Sequence, residues 1–244
     1  MTRTTPLITV VMPAFNEELG VAKTVKGFFD TGVVEFVIVV DNNSTDNTRS
    51  QALSAGAQVI HEARQGYGFA CKSGLDAVKT EVAVLTESDN SFDPTDLHKL
   101  ISYSANFEMV NGARTDSRII ADDADWTLPY RLANYIVAKF MQFLYLNSYT
   151  FKSTGFHEVG GTFRAFQTKT WQEISPLVTE GKSAFLPEIT TLYLRKHKKI
   201  IEIPVSYNAR VGTSKISGSR INAAKLAVRM ILIIIRNRFK ILSK

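Results

Sequence analysis

"EVAVLTESDNSFDP" (residues 81–94) passes from a short apolar run into two acidic side chains, Glu87 and Asp89, and then into Asp93-Pro94. A brief apolar run closed by turn residues reads as a buried strand, which puts both acids at its carboxyl end. Side chains two positions apart share a face while the chain stays extended, so Glu87 and Asp89 offer oxygen donors to the same side. Beside a diphosphate, such a pair suits Mg²⁺ or Mn²⁺, whose remaining positions are filled by phosphate and water. Taken alone, the stretch reads as the polar edge of a turn before a helix starting near Asp93.

The same alternation extends in both directions. "LITVVM", "EFVIVV", "AQVIH", "EVAVLT" and "EMVNGA" are short β-rich runs separated by segments of helical length and spacing. This pattern predicts βαβ units and an α/β fold, with a mostly parallel central sheet covered by helices on both faces. Ligands of such sheets bind beyond the carboxyl ends of the strands. There the sequence places "PAFNEE", "DNNSTD", "EARQGYG" and "TESDNS". The second half predicts a helix over about 128–147, a strand in "HEVGGTFRAF", a helix near 187–197, a strand in "IIEIPV", a polar loop over 206–219 and a closing basic helix.

Composition limits the chemistry. A chain of 244 residues, 45% hydrophobic, is long enough for one α/β domain with a full core. The single Cys71 excludes an internal disulfide, and four scattered histidines suggest no helix-borne zinc pair. A bound metal would therefore have hard oxygen ligands. The N-terminal run is followed by Pro13, Asn16, Glu17 and Glu18 where a signal peptide needs small residues, so it reads as a first strand and the protein as cytoplasmic. No window reaches about 18 uncharged apolar residues, which argues against a spanning helix. The net charge of +6 is concentrated after position 195 and points to an anionic partner there. Nucleic acid fits poorly, because no stacking aromatic platform or recognised module accompanies the basic helix.

Several residues have both a binding and a structural reading. Asp41 ends the second strand, where a carboxylate can accept hydrogen bonds from a base or ribose, while Ser44 or Asp46 caps the next helix. Gly66 and Gly68 precede a helix whose first amides could face a ligand, but they complete neither a Walker loop nor a dinucleotide fingerprint. Arg114, Arg164, Arg210 and Lys215 could each be solvated surface charges. "NARVGTSKISGSR" mixes small, flexible and basic residues, as a loop closing over a phosphate would.

In combination, PAFNEE, DNNSTDNT, QGYG, ESD-x-x-F-D-P, GTFRAF and R-V-G-x-S-K resemble glycosyltransferase family 2, in order and spacing over nearly the whole chain. The branch most similar contains dolichyl-phosphate mannose synthase and bacterial polyprenyl-phosphate sugar transferases. The resemblance implies a GT-A fold and a nucleotide-diphosphate sugar donor. It also implies a metal held by Asp89, with Glu87 as a longer-armed replacement for the first Asp of an Asp-x-Asp motif. Pro13, Asn16, Glu17, Asp41 and Gly66 match positions around the nucleotide. Arg114 matches an arginine after the fifth strand, and Arg210, Ser214 and Lys215 match a phosphate-gripping loop. The implied reaction is inverting displacement at the anomeric carbon. A phosphate acceptor is already ionised, whereas a hydroxyl acceptor would need a base, for which Glu158 and Glu188 are the candidates.

The acceptor question extends to the C-terminal helix. Lys225, Arg229, Arg236 and Lys240 fall within roughly a 60° strip at 100° per residue, so the helix could lie in a lipid interface with its cations toward headgroups. Leu132, Ile136, Phe140, Phe143 and Leu144 form a second apolar stripe, equally explicable as core. The expectation is a catalytic domain over 1–218 and a membrane-surface or oligomer helix over 219–244. The protein would be peripheral at the inner membrane face and would use a lipid-phosphate acceptor, with a second copy or a membrane protein as further partners. The competing expectations are a glycan hydroxyl acceptor or a non-catalytic nucleotide-sugar-binding subunit.

Overall fold

Strand β1 (Ile8–Ala14) is buried on both faces: Ile8, Val10 and Met12 enter one core and Val11 the other. That double burial is what a continuous apolar run requires of a central strand. The computed structural model describes residues 6–124, 128–146, 155–212 and 220–239. In these, β1 is joined by β2 (Phe36–Asp41), β3 (Gln58–His61), β4 (Val82–Leu85), β5 (Met109–Ala113), β6 (Arg164–Gln167) and β7 (Ile200–Pro204). They form one sheet in the order β3-β2-β1-β4-β6-β5-β7, in which β6 runs antiparallel to both neighbours and every other pairing is parallel.

Helices α1 (Val21–Asp30), α2 (Thr48–Ser54) and α4 (Leu97–Ser104) bury their apolar sides on one face. On the other lie α3 (Tyr67–Ala77), α5 (Leu128–Leu144), α6 (Thr168–Ile174), α7 (Phe185–Arg195) and α8 (Arg220–Phe239). Helix α3 sits so close to the sheet that a Cβ on Gly74 would fall 2.3 Å from a Val11 methyl and 2.7 Å from a Val40 methyl.

The strand expected in "HEVGGTFRAF" is realised only from Arg164 onward. Upstream, the backbone is held by side chains rather than by a ladder: the His157 amide donates to Glu202 at 2.9 Å and the Gly160 amide to Asn134 Oδ1 at 3.1 Å. Gly161 is required by close approach, because a Cβ there would lie 2.7 Å from the Gly112 carbonyl. Arg164 is buried and donates to the carbonyls of Gly161 and Val159, at 2.7 and 2.9 Å, and to Thr190 Oγ1 at 2.8 Å. It anchors this crossing loop instead of facing a ligand.

Helix α8 also departs from expectation. Arg229 pairs with buried Glu180 at 2.9 Å, and Arg236 with buried Glu188 at 2.6 Å. Met230, Ile233 and Ile234 belong to the sheet-facing core. The arginines of the basic strip are thus directed at two acids that would otherwise be buried without counter-charge. The exposed side of α8 carries large apolar side chains beside exposed Lys225 and Arg238: Val228, Leu232 and Phe239 are each more than half exposed, as are Leu132, Ile136 and Phe143 on α5. Of the α5 stripe, only Phe140 and Leu144 pack on the core. Lys240 lies outside the described residues.

Candidate active site

The carboxyl ends of β1, β4 and β5 open into a cleft of about 440 Å³, lined by Pro13, Glu17, Glu87, Asp89, Arg114 and Arg210. Val137 of α5 and Leu226 and Met230 of α8 add apolar side chains to its wall.

The acidic pair is fixed by the turn after β4. The chain reverses at Asn90, whose φ of 62° is in the left-handed region that Asn tolerates. Asp89 Oδ1 accepts the Ser91 amide at 3.0 Å, closing an Asx turn, and Oδ2 faces Arg210 at 3.5 Å. Between the acids, Ser88 points the other way and donates to the Pro13 carbonyl at 3.1 Å. The loop carrying Arg210 is clamped to this turn by Asn208 N to Ser91 O at 2.7 Å and Val211 N to Asp89 O at 2.9 Å. Arg210 also reaches Glu17 at 3.0 Å. Glu87 is raised to about 7, by loss of hydration first and by the nearby Asp89 carboxylate second.

The loops after β1 and β2 form one unit. Asn16 Oδ1 accepts the Thr45 amide at 2.8 Å, the Asn16 amide donates to Ser44 at 3.0 Å, and the Glu17 amide to Thr48 Oγ1 at 2.7 Å. Asp41 is buried beside the cleft and accepts the Ser44 amide at 3.0 Å, while its neighbour Asn42 lines the cavity. Asn42 Oδ1 holds the Gly66 amide at 2.8 Å. Gly66 and Gly68 serve close packing: Cβ atoms there would fall 2.3 Å from the Gly181 carbonyl and 2.5 Å from that of Glu180. The Phe69 amide is already donated to Gly181 at 3.1 Å, so this helix start is partly spent on the protein itself.

Arg114 is clasped by Glu158 through its side chain, at 2.9 Å from Nε, and through its own amide at 2.7 Å. Its guanidinium lies 4.6 Å from the Tyr207 ring centroid and 5.8 Å from that of Phe92. Burial opposes its charge, but Glu158 more than offsets this and holds the guanidinium above its usual range. Glu188 is engaged elsewhere: it accepts the amides of Thr179 and Glu180, at 3.0 and 2.7 Å, besides Arg236. The base role expected for Glu158 or Glu188 does not fit these placements, since one carboxylate neutralises Arg114 and the other fastens α8. Ser214 and Lys215 lie outside the described residues. Sequence reasoning missed Thr162, Tyr67 and Tyr207, all of which line the cleft. Thr162 and Tyr67 stood inside the quoted stretches HEVGGTFRAF and QGYG, and Tyr207 in the polar loop over 206–219, without being singled out.

Among the described residues no group of three or more His, Cys, Asp or Glu is arranged to hold a metal. Glu87 and Asp89 nonetheless fit Mg²⁺ or Mn²⁺, which typically take one or two protein carboxylates and leave the other positions to substrate phosphate and water. A divalent cation would also supply the counter-charge that these two crowded acids call for.

Comparison with known proteins agrees with this architecture. The profile of Glycosyl transferase family 2 matches residues 9–169, more than half of the chain, and the chain belongs to that family. It is 29% identical over 214 residues to an uncharacterized glycosyltransferase of Mycobacterium tuberculosis, covering 87% of this chain and 90% of the relative. A dolichyl-phosphate hexose transferase of Haloferax volcanii is 27% identical over 214 residues, 86% of each chain. The fold matches that of glucosyl-3-phosphoglycerate synthase from Mycobacterium tuberculosis, solved with Mn²⁺, UDP and phosphoglyceric acid. The TM-score is 0.71 at 16% identity, over 98% of this chain and 80% of that one. The protein is a GT-A-type glycosyltransferase, which sets aside the non-catalytic reading.

Proposed function

We propose that this glycosyltransferase moves a sugar from a nucleotide-diphosphate donor to a polyprenyl-type lipid phosphate at the cytoplasmic face of a membrane, with Mg²⁺ or Mn²⁺. The observation that carries the reading is the lining of the cleft. Acids and arginines from the strand ends share its wall with α5 and α8, whose outer surfaces expose Leu132, Ile136, Phe143, Val228, Leu232 and Phe239. A surface of that kind, beside a polar cleft, suits a substrate with an ionic head and a hydrocarbon tail. The dolichyl-phosphate hexose transferase among the relatives supports the same acceptor class.

A metal held by Asp89 and Glu87 would neutralise the departing diphosphate. Arg210, beside Asp89, adds a positive charge where the leaving group's charge grows. Arg114, held in the cleft wall by Glu158, is the candidate for orienting the acceptor phosphate. An ionised phosphate needs positioning rather than deprotonation. The engagement of Glu158 and Glu188 in ion pairs therefore favours a phosphate acceptor over a hydroxyl one. None of the described helices is long and apolar enough to cross a membrane, so the contact proposed is with the lipid surface.

Transfer of labelled sugar from a panel of nucleotide sugars into an organic-extractable product tests this. The expected product forms with polyprenyl phosphate, not with polyprenol, and EDTA abolishes it. Transfer to soluble saccharides alone would favour the glycan-hydroxyl reading instead.

A further inference from the structure

The ladder between β4 and β6 pairs Leu85 with Arg164 in antiparallel register. Continued two residues past the strand ends, the same register sets Glu87 opposite Thr162. The side chains meet there: Thr162 Oγ1 donates to Glu87 Oε1 at 2.7 Å. Thr162 is buried at 2% exposure, and its hydroxyl stands 3.0 Å from that of Tyr67. A hydroxyl carries one hydrogen, and an ionised carboxylate can only accept. With Glu87 ionised, as a ligand to a cation would be, Thr162 spends its hydrogen on Glu87 and accepts that of Tyr67, which gives the chain Tyr67 to Thr162 to Glu87 a single direction.

The backbone next to each supporting residue is held in turn by a side chain. Tyr67 opens α3, where the Gly66 amide is fixed by Asn42 Oδ1 at 2.8 Å. Thr162 follows Gly161, whose carbonyl accepts from buried Arg164 at 2.7 Å. A glutamate has one more rotatable bond than an aspartate, and a long-armed ligand is useful only when something fixes its rotamer.

Resting on the metal-site reading above, we infer that Thr162, backed by Tyr67, is a positioning residue that commits Oε1 of Glu87 to the protein and leaves Oε2 to address the cation. Outer hydrogen bonds of this kind orient metal-binding side chains, and their removal costs about 10–100-fold in metal affinity.

The test is calorimetric titration of Mn²⁺ into protein saturated with UDP or GDP, whichever binds, for the native chain, Thr162→Val, Thr162→Ser, Glu87→Ala and the double variant Thr162→Val/Glu87→Ala. Melting curves without metal check that each variant folds. The expected result is at least tenfold weaker Mn²⁺ binding for Thr162→Val, recovery to within about threefold for Thr162→Ser, and no further loss from Thr162→Val once Glu87 is alanine. Native affinity in Thr162→Val, or an equal loss with and without Glu87, would overturn the inference while leaving the metal site standing. Absence of Mn²⁺ binding by the native protein with either nucleotide would overturn the metal-site reading and this inference with it.

Discussion

The guanidinium of Arg210 stands 3.5 Å from the carboxylate of Asp89 and 3.0 Å from that of Glu17, joining the loop after β7 to the turns after β4 and β1. One cation thus serves two acids at the mouth of the cleft, in line with a role in stabilising growing negative charge there. Arg210→Ala is expected to lower kcat by about 10²–10³-fold, the magnitude typical of removing one preorganised electrostatic group. Arg210→Lys should recover part of the loss, because both contacts are made by the single nitrogen Nη2 and an ammonium keeps the charge. Steady-state kinetics with saturating donor check this, and unchanged kcat in Arg210→Ala would argue against the role.

Glu158 and Arg114 form a buried ion pair, with Arg114 also packed on Tyr207. Removing one member leaves the other charge buried and uncompensated, at a typical cost of about 3–5 kcal/mol. Glu158→Ala should therefore reduce the stability measured by urea unfolding by that order. The double variant Glu158→Ala/Arg114→Met should be markedly less destabilised than the sum of its singles.

The exposed apolar surface of α5 and α8 is expected to bind vesicles through hydrocarbon contact more than through charge, because Arg229 and Arg236 are paired with Glu180 and Glu188. Raising salt from about 0.1 to 0.5 M, which shortens the screening length about twofold, should leave most flotation with liposomes intact. Replacing Leu132, Ile136 and Leu232 with serine should abolish it. Binding lost in salt but retained in the serine variant would contradict this account.

Glu202 accepts the amides of His157 and Glu158 and is raised to about 8, by burial first and by the adjoining Glu158 second. The folded protein thus keeps a proton that the unfolded chain releases near the ordinary value of 4.5. The stabilising contribution is fully present below about pH 4.5 and is lost as pH rises through 8. Glu202→Gln, which cannot ionise, should lose less stability than the native protein between pH 5 and 9. Denaturant midpoints at the two pH values measure the difference.

The parallel part of the sheet was legible because strands buried on both faces must be apolar throughout, and each such run ended in a cluster of polar turn residues. The convergence of Pro13, Glu17, Glu87 and Asp89 followed from the same rule, since the carboxyl ends of parallel strands share one edge of the sheet. Helix α8 was less legible. Periodicity located its basic strip, but the acids facing it, Glu180 and Glu188, come from a segment whose approach depends on tertiary packing around Gly66 and Gly68. The pairing of Thr162 with Glu87 was hidden because it follows from the register of β6, an antiparallel insertion that the βαβ alternation does not announce. The paired states of Glu158 and Glu188 were inaccessible for the same reason, because a carboxylate's role depends on which cation the fold brings to it.

The most direct test of the central claim is a thermal-shift panel of UDP, GDP, dTDP and CMP, each with and without Mn²⁺, on the native protein and on Asp89→Ala. The account predicts that one diphosphate raises the melting temperature of the native protein only with Mn²⁺ and that Asp89→Ala loses the effect. A native protein that no nucleotide stabilises, with or without metal, would contradict the site described here.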